Sequence, residues 1–279
     1  MKIIHWLHSL IIFFITQSLF AQKPIIGLYH EKLATILQTL NGPQFLSQGG
    51  TDFVDYMVSG IDLNKKRVLD YGCGLCGPAQ YLAKKYNVYI DGIDVDPRLI
   101  EKSQSIIKDN SLESLISLHL INDSTLLPFS DETFDVVFSK ESIVHVHNKR
   151  ALLKEFYRIL KPGGQLIIAD WFKKDISYNA ELNNISNIYD AVMAFCSHQV
   201  YAQYLNEAGF IIHDAIETSR HHLQFTEQDY QELFGQKGKE IEQIFGKQAL
   251  EGTIQCWISN IEVLKSGEIQ TYLFRAQKK

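Results

Sequence analysis

The turn Gly72 to Gly77, GCGLCG, spaces its glycines so that a ligand can approach the backbone closely. RVLDYG before it is an apolar run of strand type, and PAQYLAKKY after it has helical spacing. Asp94 follows Gly74 by twenty residues, at the end of the next apolar run. On spacing alone this satisfies a dinucleotide fingerprint, with glycines for backbone approach and an acid for ribose hydroxyls. The same turn holds a CxxC, Cys73 and Cys76, which redox chemistry or half of a zinc site would use. No second CxxC follows, so small side chains in a tight turn account for the pair. A second cluster is FSKESIVHVHNKR, Phe138 to Arg150, with His145 and His147 two apart after an apolar run. In a strand, an HxH directs both imidazoles to one face and can seed a metal site. No third ligand is evident, because His198, His213, His221 and His222 are all remote in sequence, so no metal is expected.

Asp70 chooses between cofactors. It stands two residues before Gly72, where its carboxylate would face the pyrophosphate of a dinucleotide. Two like charges a few ångströms apart in a partly desolvated site cost on the order of several kcal/mol. S-adenosylmethionine carries no phosphate there, and its ammonium and sulfonium are both cationic. An acid at position 70 repels the first cofactor and attracts the second.

These residues need a scaffold, and the chain supplies one by alternation. After RVLDYG and PAQYLAKKY come VYIDGID as a strand, PRLIEKSQSIIKD as a helix opened by Pro97, and SLISLHLI as a strand. FDVVFS is a strand, KRALLKEFYRIL a helix ended by KPGG, and QLIIAD a strand. Strands alternating with helices of this length call for a doubly wound α/β domain with a parallel sheet, since each parallel crossover needs a connecting element. Residues 28–59 hold two predicted helices around the loop NGPQFLSQGG, and an insertion near 173–204 follows the fifth strand. This architecture binds its ligands at the carboxyl ends of its strands. The net charge of -5 and the lack of a dense Lys/Arg cluster argue against nucleic acid as the partner, leaving a small molecule. At the N-terminus, Lys2, the uncharged run 3–20 and Ala21 outline a signal peptide or membrane anchor over residues 1–21. Export or membrane attachment through that segment is the expected localisation, with a cytoplasmic protein as the alternative.

VLDYGCG, GIDVD, NDSTLLPFSDETFDVVFS and ILKPGG, in this order and spacing, resemble the successive motifs of class I S-adenosylmethionine-dependent methyltransferases. That resemblance implies a mainly parallel seven-stranded Rossmann-like sheet with an antiparallel last hairpin ending in IQTYLFRAQ. It also implies a cap over residues 22–66 and the methyltransferase domain over residues 67–279. By the same resemblance Asp70, Gly72 and Gly74 border the methionine end of the cofactor, and Asp94 holds the ribose hydroxyls. Asp123 meets the adenine amino group, unless it merely opens the NDS turn. Ser139 joins the cofactor-binding set.

The flanks QFLSQGG, Tyr29 and SKESIVHV resemble the phosphoethanolamine N-methyltransferases. The resemblance implies a catalytic pair, Tyr29 with His145, a cofactor contact at Ser47 and an acid beside the acceptor at Glu141. An amine attacks the sulfonium methyl through a free lone pair, so a base must accept its proton, and histidine titrates in a suitable range. The structural alternative for His145 is a satisfied histidine at a strand end. The positions aligned with that group's phosphate-gripping residues are Trp171, Ala191, Met193 and Asn260, none of them basic. A phosphate dianion enclosed there would be costly, whereas Trp171 with Glu141 would suit a cation. The expected activity is methyl transfer to a small polar acceptor, an amine nitrogen. The alternatives are a C- or O-methyltransferase for a lipid, sterol or quinone, and an exported protein that binds S-adenosylmethionine without turnover.

Overall fold

Period-two alternation along the strands decides which side chains meet which helices. In the computed structural model, which describes residues 29–174 and 193–279, Val68, Val136 and Phe138 enter one buried cluster, while Leu69 and Val137 enter another across the sheet. The strands are β1 (Arg67–Tyr71), β2 (Tyr89–Asp94), β3 (Ile116–Leu120), β4 (Phe134–Lys140), β5 (Leu160–Lys173), β6 (Phe210–Glu217) and β7 (Ile269–Lys278). They form one seven-stranded sheet in the order β3-β2-β1-β4-β5-β7-β6. The pairs from β3 through β5 are parallel, and β7 runs antiparallel to both β5 and β6. Strand order reverses direction between β1 and β4, and a crevice opens at such a switch point beyond the carboxyl ends of the strands.

Helices α1 (Glu31–Asn41) and α2 (Gly50–Val58) precede the sheet, and α3 (Gly77–Tyr86) and α4 (Pro97–Asp109) are its first crossovers. Val54 and Met57 of α2 join Leu82 of α3 and Ile100 of α4 on one face. On the other face, Leu152 and Phe156 of α5 (Lys149–Ile159) join Tyr201 and Leu205 of α6 (His198–Ala208). The start of α4 follows from its sequence: Asp96 accepts from the Arg98 amide at 3.0 Å, and Pro97 sits in the first turn.

Three features depart from the sequence reading. KPGG does follow the end of α5 at Ile159, but the strand starts earlier than QLIIAD: β5 begins at Leu160, opposite Phe134, and the next partner pair is Val136 with Gln165, so KPGG forms a bulge within the strand. The two histidines are not on a strand. β4 ends at Lys140, Glu141 adopts a left-handed φ of 56°, and Ile143–His145 make one 3₁₀ turn. This turn buries His145 and leaves His147 exposed, so the pair does not share a face. Finally, β6 and β7 are joined by three helices that the sequence reading did not foresee, α7 (Ser219–Glu232), α8 (Gln236–Phe245) and α9 (Lys247–Ser266). Leu233, Ile241 of α8 and Trp257 of α9 close a third core against Ile36 and Leu40 of α1.

The N-terminal segment 1–21 and most of the insertion expected near 173–204 lie outside the described residues. Among the described residues no helix is long and apolar enough to cross a membrane.

Gly49 begins α2 at φ 86°, and a Cβ there would lie 2.6 Å from Phe53 Cβ and 2.7 Å from the Phe225 ring. Gly49→Ala should therefore destabilise the protein by about 2–4 kcal/mol, combining left-handed strain with overpacking. Urea unfolding reads this, and an unchanged midpoint would mean that Phe225 of α7 is not seated on this turn.

Candidate active site

The glycine turn is fastened to the end of β2. Gly72 and Cys73 donate their amides to the Ile93 carbonyl at 2.9 and 3.0 Å, and Gly74 donates to Asp94 Oδ2 at 3.0 Å. The other Asp94 oxygen accepts from the Asp96 amide at 2.9 Å. Gly72 and Gly74 have φ of 72° and 53°. The protein's own packing also demands glycine here. A Cβ at Gly72 would lie 2.3 Å from Ser142 Oγ, and one at Gly77 would lie 2.7 Å from the Gln44 carbonyl oxygen. Cys73 and Cys76 are buried free thiols, and burial together with the Cys76 hydrogen bond keeps Cys73 protonated.

Above this turn lies a cleft of about 900 Å³, counted with its open solvent side. Its walls include Gly72, Gly74 and Asp94 from the turn, Gln44, Leu46 and Ser47 from the loop before α2, and Tyr29, Glu141, Ser142 and His145. Residues remote in the chain, Tyr29, Ser47, Asp94 and His145, thus face one space.

Two acids set its electrostatics. Asp70 is buried beneath the turn, and burial followed by the nearby Asp94 charge pushes its carboxyl up to about 7. Asp70 Oδ2 has no hydrogen-bond partner. Burial raises Asp94 too, partly offset by the Asp96 and Gly74 amides. A cationic group entering this cleft would meet Asp94 in the wall and lie above the buried Asp70, neither in an ion pair among the described residues, whereas a pyrophosphate would add to the repulsion.

Two of the expected cofactor contacts are engaged elsewhere. Asp123 accepts from the Thr125 amide at 2.7 Å and from its hydroxyl at 2.8 Å, opening the NDS turn, while Ile121 and Ser124 face the cleft. Ser139 is fully buried and donates to the Tyr71 carbonyl at 3.0 Å, tying β4 to β1.

The expected cation site of Glu141 and Trp171 also takes another form. Glu141 Oε1 accepts from Lys140 Nζ at 2.8 Å and lies 3.2 Å from His222 Nε2, and Trp171 Nε1 donates to Oε2 at 3.0 Å. Burial alone would raise this carboxyl, yet the Lys140 ammonium and His222 hold it well below the usual carboxylate range. Glu141 is therefore a neutralised hub and not a free anion, and Trp171 is part of its support. Lys140 Nζ also donates to the Gln48 carbonyl at 2.8 Å and to Ser47 Oγ. Lys140 and His222 escaped the sequence reading. The only signal for Lys140 was a lysine closing an apolar strand, and His222 lies 81 residues from Glu141 with no motif between.

Asp170 is a further unforeseen member. Its Oδ2 accepts from the Val144 amide at 3.0 Å and its Oδ1 from the Trp171 amide at 2.8 Å, so it fixes the 3₁₀ turn that carries His145. Burial pushes the Asp170 carboxyl up to about 7. Burial, then the fields of Glu141, Asp94 and Asp170, raises the Tyr29 phenol and keeps its hydroxyl protonated. Of the positions aligned with phosphate-gripping residues, Ala191 lies outside the described residues. Met193 precedes α6, and Asn260 is on α9.

Residues 69–168 match the family model described as a methyltransferase domain. Phosphoethanolamine N-methyltransferase 1 of Arabidopsis thaliana is 30% identical over 240 residues, covering 85% of this chain and 47% of that protein. Phosphoethanolamine N-methyltransferase 2 of Haemonchus contortus, solved in complex with S-adenosyl-L-methionine, has a TM-score of 0.83 at 18% identity, covering 92% of this chain and 60% of that one. A putative sarcosine dimethylglycine methyltransferase of Galdieria sulphuraria has a TM-score of 0.72 at 20% identity, with 91% of each chain covered. At these identities the structural likenesses establish the fold. Residues 69–168 thus carry the match to a methyltransferase domain, within a seven-stranded sheet whose fold these solved structures share. The chain resembles the phosphoethanolamine N-methyltransferases, and it spans about half the length of the curated relatives it matches.

The Asp70 carboxyl makes a stability prediction for the ligand-free protein. Its folded-state value of about 7 lies above the ordinary value of 3.8, so its contribution is fully present below the latter and is lost as pH rises through 7. Asp70→Asn removes that loss, and should gain about 2–3 kcal/mol more over wild type at pH 8 than at pH 5. Equal differences at the two pH values in urea unfolding would contradict the burial of a titrating carboxyl.

Proposed function

We propose that the protein transfers a methyl group from S-adenosylmethionine to the amine nitrogen of a small polar acceptor, phosphoethanolamine-like or a related amine. The observation that carries this reading is Asp94 in the cleft wall with Asp70 buried beneath the same glycine turn, neither in an ion pair among the described residues. That electrostatic field suits a sulfonium and an ammonium and opposes a pyrophosphate. The N-methyltransferase names of the relatives support a nitrogen acceptor.

When bound, S-adenosylmethionine supplies an electrophilic methyl group on a sulfonium. The chain's own residues provide the rest. Asp94, held by two backbone amides, is placed to accept from ribose hydroxyls. Gly72 and Gly74 bring the backbone close to the methionine end, and Ser47 closes the same cleft from the loop before α2. An amine that reaches the cleft protonated must lose its proton before its lone pair can attack. His145, buried in the wall and fixed through the Asp170-held turn, is the base in this reading. Tyr29, with its hydroxyl kept protonated, offers a donor and fills the wall against water.

Incubating the protein with methyl-labelled S-adenosylmethionine and separate acceptors tests this. The acceptors are ethanolamine, phosphoethanolamine, glycine-type amines and a lipid extract. Transfer to an amine is expected, and His145→Ala should lower kcat by about 10²–10⁴-fold. Product on the lipid fraction alone would favour the apolar-acceptor alternative. Tight cofactor binding with no product from any acceptor would favour a binding protein.

A further inference from the structure

Helix α7 lies outside the matched methyltransferase segment, yet one of its faces reaches the candidate site. His222, Thr226 and Asp229 are spaced four and three residues apart, a helical stripe, and all are buried. His222 Nε2 lies 3.2 Å from Glu141 Oε1, and its Nδ1 lies 3.0 Å from Thr271 Oγ1. An ionised carboxylate only accepts, so the hydrogen bond to Glu141 places a proton on Nε2. Further along the stripe, the Thr226 hydroxyl shares its one proton between Gln48 Oε1 at 2.9 Å and the His222 carbonyl at 2.7 Å, and Gln48 Nε2 donates to Asp229 Oδ2 at 3.2 Å.

Gln48 is gripped from a second side. Lys140, paired with Glu141, donates to the Gln48 carbonyl and to Ser47 Oγ. The loop 42–49 is thus tied by its side chains to α7 and by its backbone to Lys140, and the two sets of ties meet at Glu141. The same loop lies directly on the glycine turn. A Cβ at Gly74 would lie 3.0 Å from Leu46 Cδ1, and Gln44, Leu46 and Ser47 all wall the cleft. Lifting the loop from the turn severs these buried polar ties, so their loss should speed the release of a ligand held between the two.

We propose that His222 is a positioning residue for the reaction, holding Glu141 and through it the Lys140 ammonium, so that loop 42–49 stays closed over the cofactor cleft. This rests on the methyltransferase reading above. His222 packs against Phe53 at 4.9 Å and Trp171 at 5.3 Å between ring centroids, both edge-on, so a phenyl ring fits its volume without its donor. A glutamine retains a donor of similar reach.

The test is the dissociation rate of S-adenosylhomocysteine, followed by stopped-flow displacement, with melting temperature recorded for each variant. His222→Phe should release it about tenfold faster than wild type, the loss of one buried charge-assisted hydrogen bond. His222→Gln should stay within about threefold, through the retained donor. Thr226→Val deletes only the hydroxyl that meets Gln48 and should also accelerate release about tenfold, so it carries the test if His222→Phe does not fold. Release at the wild-type rate from folded His222→Phe or Thr226→Val overturns the inference. So does equal acceleration by His222→Phe and His222→Gln, because a merely structural role does not distinguish a donor from a ring. Wild-type protein that fails to bind S-adenosylhomocysteine would overturn the methyltransferase reading itself. Binding with no difference among variants would overturn only the role of His222.

Discussion

Two carboxyl groups with no cation beside them, at the ends of adjacent parallel strands, are the constraint around which the rest is arranged. Asp70 is on β1 and Asp94 closes β2, and the parallel register sets Asp70 beneath the glycine turn and Asp94 in the cleft wall above it. Burial raises both carboxyls, so the folded chain carries an electrostatic cost in the absence of a ligand. The glycine turn lies between them and is held by backbone amides, leaving Asp94 directed into the cleft. Such a site is destabilising on its own and favourable to a positive ligand, a trade of stability for function.

The acceptor side follows the opposite logic. Its central carboxylate, Glu141, is saturated by Lys140, His222 and Trp171. Its left-handed backbone turns the chain out of β4 into the short 3₁₀ turn that delivers His145 to the cleft wall, and Asp170 fixes that turn from β5. A buried ion pair of this kind adds little net stability, but it fixes the geometry of the groups that share it. Here those groups are the loop before α2, the end of β4 and helix α7. The side of the cleft around Asp94 is thus electrostatically unsatisfied and the side around Glu141 internally satisfied.

What was legible in the sequence was local. Strand and helix periodicities gave the crossovers, because apolar spacing is a property of each short run, and Pro97 marked the start of α4 to the residue. The glycine turn and Asp94 were legible because their spacing is set by one strand, one turn and the next strand. That β5 already begins at Leu160 was not legible, because the turn chemistry of KPGG is the same whether the chain leaves the sheet or bulges within it. The joint role of Glu141 and Trp171 was misread because nothing local announces that Lys140 and His222 reach the same carboxylate. Asp123 was placed beside the cofactor, although its carboxylate closes a turn with Thr125, the local alternative that the sequence already allowed. Helix α7 was missed because its consequence lies in contacts with residues 48 and 141, far along the chain.

Calorimetric titration of S-adenosylmethionine into wild-type protein and Asp70→Asn, from pH 5.5 to pH 7, tests the central role of the acid pair most directly. Over that range the ligand's ammonium stays charged, while Asp70, with a free-state value of about 7, ionises progressively. Binding to wild type should tighten as pH rises. Asp70→Asn should bind more weakly at pH 7 and lose most of that dependence. Equal affinity and an unchanged pH profile in the two proteins would contradict the account.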